Sequence, residues 1–421
     1  MPAAPYASRA SPSLTHDERP PPVPGTTDAA RPGTVAIWAA TRLVLATAVL
    51  WHYSTTHALT GDVVLYARWS RTLVGGHLPT GDPSWQYPPL AGTLFAAVRL
   101  LADVTGAAYL PAFVVSMLGV DALVAWLLAR RSDAGLRVWA LGGLLLGPLL
   151  LHRFDLAPTA CAVAGLVLLA EGRPRLGGAL LGAGALLKVW PAAGAVAAGG
   201  PRRLLRLLVG MVATGLAVVV VLGGSGRLGE AMDFAHQQRS RGLEVEAVAA
   251  LPWLVLRALH LGGATVAHTY GSYQVAGPGT AAATALCTVA SALVVLLAAV
   301  ATWRGWTTGD PVGAVLAVVT ALMLLSRVLS PQYLVWPLGL VALAVAQRPR
   351  DPVVRRTAAL LMAACLLTQV EYPFLFSPLV HGGGVTLPLL LARDGLLAAV
   401  CLRSARGAWQ RRAAARPGPA G

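Results

Sequence analysis

Charge is scarce in this chain: Asp, Glu, Lys and Arg together make up only 12% of its 421 residues, and there is a single lysine, Lys188. With 56% hydrophobic residues and a mean hydropathy of +0.64, too little polar surface remains to solvate a globular protein on all sides. Cysteine is scarce too, which excludes a disulfide framework. Cys161, Cys287, Cys365 and Cys401 fall in or beside apolar runs without pairing or metal-ligand spacing and read as small membrane-buried residues. Acidic residues are outnumbered, 18 against 33 basic ones, for a net charge of +15. In a soluble chain that balance would raise nucleic acid as a partner. In a membrane protein the retention of basic loops on the cytoplasmic side accounts for it, so nucleic acid is set aside.

What the chain has in abundance is apolar runs close to the ~20 residues needed to cross a bilayer, recurring from residue 34 to residue 403. The expected fold is therefore all-α, a polytopic membrane domain over 34–403. It is flanked by a Pro/Ser/Ala/Thr-rich tail at 1–33, expected to be disordered, and a basic tail at 404–421. The first apolar run follows the tail, is long enough to span and lacks a small-residue cleavage site, so it reads as a retained span and not as a signal peptide. Spans are expected near 34–54, 107–129, 138–151, 156–170, 176–187, 191–200, 204–223, 279–302, 311–325, 333–346, 354–370 and 385–403, about twelve in all. A helix break is expected at "KVWP", where Pro191 opens a second short helix. The segment 87–104, which carries Arg99 and Asp103, is expected to lie as an interfacial helix in the first outer loop.

This arrangement, with both termini cytoplasmic, gathers the arginine clusters on one side: Arg130, Arg131 and Arg137, then Arg173 and Arg175, then Arg202, Arg203 and Arg206, then Arg348, Arg350, Arg355 and Arg356. The opposite face receives two long loops, 55–106 and 224–278, and three short ones carrying "LHRFDLAP", "SRVLSPQY" and "VEYPF". Eight of the nine histidines lie there, with Asp62, Asp155, Glu244, Glu246, Arg327, Glu371 and Lys188. A transporter more often places its ionisable groups near the bilayer midplane and shows matching broken helices in its two halves, and only the break at Lys188 to Pro191 is evident. A secondary transporter or lipid carrier remains the competing class, and a non-catalytic scaffold the third.

Five segments carry a further signal. They are "GDVVLYARWSRTLVGGHLPTGDPSWQYPPL", "HRFDLAPTACAVAGLVLL", "LGGALLGAGALLKVWPAAG", "RGLEVEAV" and "LSPQYLVWPLGL". In that order they resemble segments of the polyprenyl-phosphate-mannose-dependent mannosyltransferases of glycosyltransferase family 87, which have the class C membrane fold. One departure is that Glu246 is followed by Ala247 where the family has serine. The resemblance implies transfer of a sugar, mannose, from a polyprenyl-phosphate donor to a hydroxyl of a glycan or glycolipid acceptor. Transfer would occur with inversion at the anomeric carbon, on the outer face of the plasma membrane, and the implied partners are the lipid donor, the acceptor and the bilayer.

Attack by a hydroxyl requires a positioned base, and Asp62, at the start of the first outer loop, is the candidate; the alternative is that Asp62 caps a helix over 63–73. A departing lipid phosphate requires cations, for which Lys188 and Arg327 are candidates, Arg153 and Arg241 being weaker; the alternative for Lys188 is a lysine snorkelling to the interface. Tyr66, Trp85, Tyr87, Glu246 and Gln332 are the candidate substrate contacts; the aromatic ones alternatively anchor at the interface, and Glu246 alternatively orients a basic residue. Asp155 is expected to pair with Arg153, while Asp121 and the adjacent Arg393 and Asp394 sit in apolar runs and are expected to tie helices together. No histidine pair has i, i+4 spacing on a helix and no carboxylate pattern accompanies the histidines, so neither a metal nor another cofactor is implied.

The arginine pattern generates the first prediction. A cysteine introduced as Gly76→Cys is expected to react with a membrane-impermeant maleimide in intact cells, and Ser132→Cys only after permeabilisation. The reverse labelling would place the long loops on the cytoplasmic side.

Overall fold

The computed structural model describes residues 29–56 and 61–414. Most of the expected N-terminal tail, His57, and the last part of the C-terminal tail lie outside the described residues. In chain order the helices are α1 (Pro32–Thr56), α2 (Asp62–Val74), α3 (Pro89–Thr105), α4 (Tyr109–Ala129), α5 (Asp133–Leu146), a single turn α6 (Leu149–His152), α7 (Leu156–Ala170) and α8 (Pro174–Leu187). A 3-10 stretch, Trp190–Ala198, leads to α9 (Pro201–Gly224) and α10 (Leu228–Ser240). Then come β1 (Leu243–Glu244), α11 (Leu251–Ala258), β2 (Thr265–Thr269), β3 (Ser272–Ala276), α12 (Thr280–Trp303) and α13 (Pro311–Leu325). The chain closes with α14 (Val335–Gln347), α15 (Pro352–Gln369), α16 (Phe376–His381) and α17 (Leu387–Ala414).

Composition explains where these elements sit. Every residue of α14 from Val335 to Ala346 is buried, and the helix is apolar all round, as the central element of a bundle must be. By contrast α9 and α12 bury only two or three residues each and present Leu and Val outward, as lipid-facing helices do. Helices α7, α8 and α9 approach closely through glycine: a Cβ on Gly178 would collide with the Leu207 carbonyl, one on Gly210 with the Arg175 carbonyl, and one on Gly177 would lie 2.6 Å from the Gly165 carbonyl.

Among the described residues six helical segments are long and apolar enough to cross a membrane. Shorter apolar ones such as Leu156–Ala170 and Pro311–Leu325 span roughly 22 Å at ~1.5 Å per residue, less than a ~30 Å hydrocarbon core. The protein is an all-α, multi-pass membrane protein in its main body; helix length alone supports six spans, and the expected count of about twelve rests on the shorter segments. The stretch expected as a span at 191–200 is 3-10 helix, because the chain leaves α8 in an extended conformation at Lys188 and re-enters helix only at Trp190–Pro191. The final helix runs through 404 to Ala414.

Two features were not anticipated. The loop 224–278 contains a small antiparallel sheet in the order β1-β3-β2, with Val266 opposite Val275 and Leu243 opposite Val275 on the other side. Its hairpin closes at Tyr270–Gly271, both with positive φ, the mirror-image turn that matches strand twist. A second helix break lies in the second half of the chain, where α15 passes into a π-helical segment, Val370–Leu375, with Tyr372 in a non-helical conformation before Pro373.

The bundle contains a buried ion pair. Arg42 of α1 binds Asp121 of α4 through Nε at 2.9 Å and Nη2 at 3.0 Å, and donates to the α5 carbonyls of Ala140 and Trp139, while Trp38 Nε1 donates to Asp121 at 2.7 Å. Asp121 thus ties helices together as expected. Arg42→Leu alone should leave Asp121 buried and unpaired, costing about 3 to 5 kcal/mol and lowering the melting temperature in detergent; Arg42→Leu with Asp121→Leu should recover most of that loss. A double variant no more stable than the single one would show that the carbonyl bonds, and not the ion pair, hold the three helices.

Candidate active site

Gly61 and Asp62 open α2, and Gly61 is the N-cap, with φ 58° and ψ −145°. Asp62 is therefore the first helical residue and caps no amide with its side chain, which corrects the capping alternative. The glycine is needed twice over: its φ is in the left-handed region, and a Cβ there would lie 2.6 Å from Arg153 Nη1. That close approach lets Arg153 Nε come within 3.3 Å of Asp62 Oδ2. Tyr66, one turn on, places its hydroxyl 3.4 Å from the same oxygen.

Arg153 and Asp155 leave the turn before α7 in opposite directions. Arg153 goes to Asp62 and to the Tyr372 hydroxyl at 3.3 Å. Asp155 accepts from Lys188 Nζ at 2.7 Å and from Trp336 Nε1 at 2.6 Å. The expected Arg153 to Asp155 pair is therefore not formed: two residues apart, they serve different partners. Lys188 is further enclosed by aromatic faces, with Nζ at 4.6 Å from the Tyr333 ring centre, 5.1 Å from Trp336 and 5.3 Å from Phe154. The lysine that stands alone in the sequence is neutralised and caged at the break between α8 and the 3-10 stretch.

One cavity of about 820 Å³ collects most of the expected residues: Asp62, Tyr87, Arg153, Lys188, Glu246, Arg327 and Gln332 all line it. Tyr66 and Trp85 do not. Tyr66, fully buried, stacks on Phe95 at 4.3 Å and meets Trp69, Phe113 and Phe154, while Trp85 packs edge-on to Trp69 at 5.2 Å. These two rings form the apolar backing of the loop instead of its substrate face, because the aromatics of α2 and α3 face each other and find more surface there than in a wet cleft. Two further walls went unseen in the sequence. The β2–β3 hairpin brings His268, Tyr270 and Ser272 to the cavity, pinned by the Gln86 side chain donating to the Tyr270 carbonyl at 2.8 Å. Its signal was present in "TVAHTYGSYQVA", alternating residues on either side of Tyr-Gly. Helices α12 and α13 supply an apolar wall with Cys287, Val319, Leu322 and Met323.

The "RGLEVE" segment contributes three charged groups. Arg241 donates to the Ser272 hydroxyl at 2.9 Å and lies 3.6 Å from Glu244, whose carboxylate also accepts from Ser330 at 3.0 Å. Burial pushes the Glu244 carboxyl above the usual range, against the pull of Arg241 and Ser330. Glu246 meets Arg393 at 3.3 Å, and Arg393 also holds Asp394 at 3.0 Å and lies 3.7 Å from Glu371. One guanidinium thus serves three buried carboxyls and, as expected of Arg393, ties α17 to its neighbours, whereas among the described residues Asp394 pairs only with Arg393 on its own helix. Burial first, and Glu371 second, push the Glu246 carboxyl well up. Both Glu371 oxygens are buried without a donor, and a proton kept on one of the two glutamates supplies it. Among the described residues no group of three or more His, Cys, Asp or Glu side chains is placed to hold a metal ion.

The raised Glu246 value has a sign. The folded protein holds a proton that the unfolded chain releases near pH 4.3, so stability falls as pH rises above that value towards the raised one. Glu246→Gln, which leaves Arg393 with Glu371 and Asp394, is expected to flatten that fall in a melting-temperature profile taken in detergent. A variant profile parallel to the wild type from mildly acid to neutral pH would remove the shared proton from the account.

No curated protein and no solved structure matches the chain. A family model does: that of glycosyltransferase family 87, over residues 85–331, more than half of the chain. The match takes in Tyr87, Arg153, Lys188, Glu246 and Arg327 and begins after Asp62, whose placement rests on the cavity geometry. The segments that resembled this family in the sequence, the membrane helices and the shared cavity agree with the match: the chain belongs to glycosyltransferase family 87 and is a membrane glycosyltransferase.

Proposed function

We propose that the protein transfers a sugar, mannose, from a polyprenyl-phosphate donor to a hydroxyl of a glycan or glycolipid acceptor, with inversion, on the outer face of the plasma membrane. The observation that carries this reading is the mixed lining of the cavity: Asp62 and basic groups together with the apolar residues of α12 and α13. A lipid-linked sugar needs both, an apolar slot for its chain and polar groups at its phosphate and sugar.

In the proposed step the acceptor oxygen attacks the anomeric carbon as the bond from that carbon to the phosphate oxygen breaks. Asp62 takes the hydroxyl proton, and the polyprenyl phosphate leaves with the bonding electrons. A carboxylate suffices as base because the hydroxyl becomes acidic only as its new bond forms. Arg153 and Tyr66 orient the Asp62 carboxylate, at 3.3 and 3.4 Å, while Tyr87, Glu246 and Gln332 line the space left for the sugar and acceptor.

Asp62→Asn keeps the shape of the side chain and removes the proton acceptor. Transfer from a radiolabelled polyprenyl-phosphate mannose, measured on membranes with equal amounts of inserted protein, is expected to fall by ~10² to 10⁴. Transfer at a near wild-type rate would sink the base assignment. Label transferred from a nucleotide sugar, and not from the lipid, would sink the donor class.

A further inference from the structure

Four cations face the cavity, and their partners divide them. Lys188 is neutralised by Asp155 at 2.7 Å and Arg153 by Asp62 at 3.3 Å. Arg241 and Arg327 are left. Arg241 is nine-tenths buried, its one carboxylate neighbour is the looser Glu244 at 3.6 Å, and its Nε, like that of Arg153, is buried without an acceptor. Arg327 makes one bond, Nη2 to the Gln238 carbonyl at 2.6 Å, and among the described residues has no carboxylate within ion-pair distance. The two arginines share an electrostatic neighbourhood: burial and then Arg241 push the Arg327 guanidinium below its usual value.

We infer that Arg241 and Arg327 together form the binding site for the phosphate of a membrane lipid, and that Lys188 and Arg153 do not. This rests on the lipid-phosphate reading above for the identity of the phosphate's owner. With one loose, hydrogen-bonded glutamate for Arg241 and, among the described residues, no carboxylate for Arg327, the two guanidiniums constitute a site that is incomplete without an anion, whereas Lys188 and Arg153 are each paired with a carboxylate. Planar guanidiniums match the oxygens of an oxyanion through paired N–H donors, and a phosphate has oxygens enough to engage two of them at once. Cys287 of α12 lies in the field of Arg327, and Val319, Leu322 and Met323 continue the wall, so a hydrocarbon chain attached to the phosphate has an apolar surface to follow.

The charge balance also fits the chemistry. A polyprenyl-phosphate sugar carries one negative charge at its phosphate, and the polyprenyl phosphate released carries close to two. A site with surplus positive charge therefore stabilises the leaving group more than the bound donor, as a catalyst requires. Anchors hold both side chains in place: Ser272 on the hairpin for Arg241 and the end of α10 for Arg327.

The test is binding, without turnover or acceptor. Purified full-length protein in detergent is titrated with a long-chain polyprenyl phosphate, the corresponding polyprenyl alcohol and inorganic phosphate. Arg327→Gln and Arg241→Gln are each expected to weaken polyprenyl-phosphate binding by about tenfold or more, the size of a lost hydrogen bond between charged groups, with alcohol binding unchanged. Lys188→Gln is expected to change it by less than about threefold. Arg241→Lys, which keeps the charge and loses the fork, serves if Arg241→Gln does not fold, and is expected to bind more weakly than wild type.

Unchanged phosphate binding in folded Arg327→Gln, or a larger loss in Lys188→Gln than in the arginine variants, would overturn the assignment. Equal loss of alcohol and phosphate binding would make the arginines supports of the lipid slot. Inorganic phosphate binding as tightly as the lipid would move the ligand to a free phosphate. A protein that binds polyprenyl phosphate through these arginines yet transfers no sugar would leave this inference standing and overturn the proposed reaction.

Discussion

The turn from Arg153 to Asp155 holds the cavity together by sending two charges of opposite sign in opposite directions. Arg153 reaches the start of α2 at Asp62, and Asp155 reaches the end of α8 at Lys188 and the start of α14 at Trp336. Each pair is largely withdrawn from water, where an unpartnered charge is costly, so the loop, the helix break and the central helix are constrained to meet at one place. The glycine before Asp62 and the aromatic faces around Lys188 adapt the backbone and the dielectric to those two pairs.

Once these pairs are closed, the remaining charges acquire their meaning. The "RGLEVE" segment crosses the cavity from the hairpin to the helices, with Arg241 on one side, and Glu246 on the other is drawn to Arg393. The same short segment thus separates an excess of positive charge from an excess of carboxyls that needs a proton to be satisfied. Keeping these two poorly matched groups apart prevents each from neutralising the other.

Several features were legible in the residues alone. Apolar periods located nearly every helix, with α7 and α13 at their expected boundaries, and prolines at 89 and 191 marked where helices begin. The hairpin was not called, because in a chain dominated by apolar helices five-residue strands with Ala, Thr and His give a weak signal. The second helix break was missed because "VEYPF" reads as a short loop after a span ending at 370, whereas the chain continues there as a π-helical segment interrupted at Tyr372.

The sequence by itself determined the membrane class, the helical body, the polar face on which Asp62, Arg153, Lys188, Glu246, Arg327 and Gln332 gather, and the family resemblance that the family model bears out. Only the tertiary structure decided which of those groups are partners: Lys188 with Asp155, Arg153 with Asp62, Glu246 with Arg393, Tyr66 and Trp85 behind the wall instead of on it. The reason is physical. Helical periodicity is set by neighbours a few residues apart and can be read along the chain, whereas the balance of a buried charge depends on which helix ends are packed together, and nothing local to either residue records that.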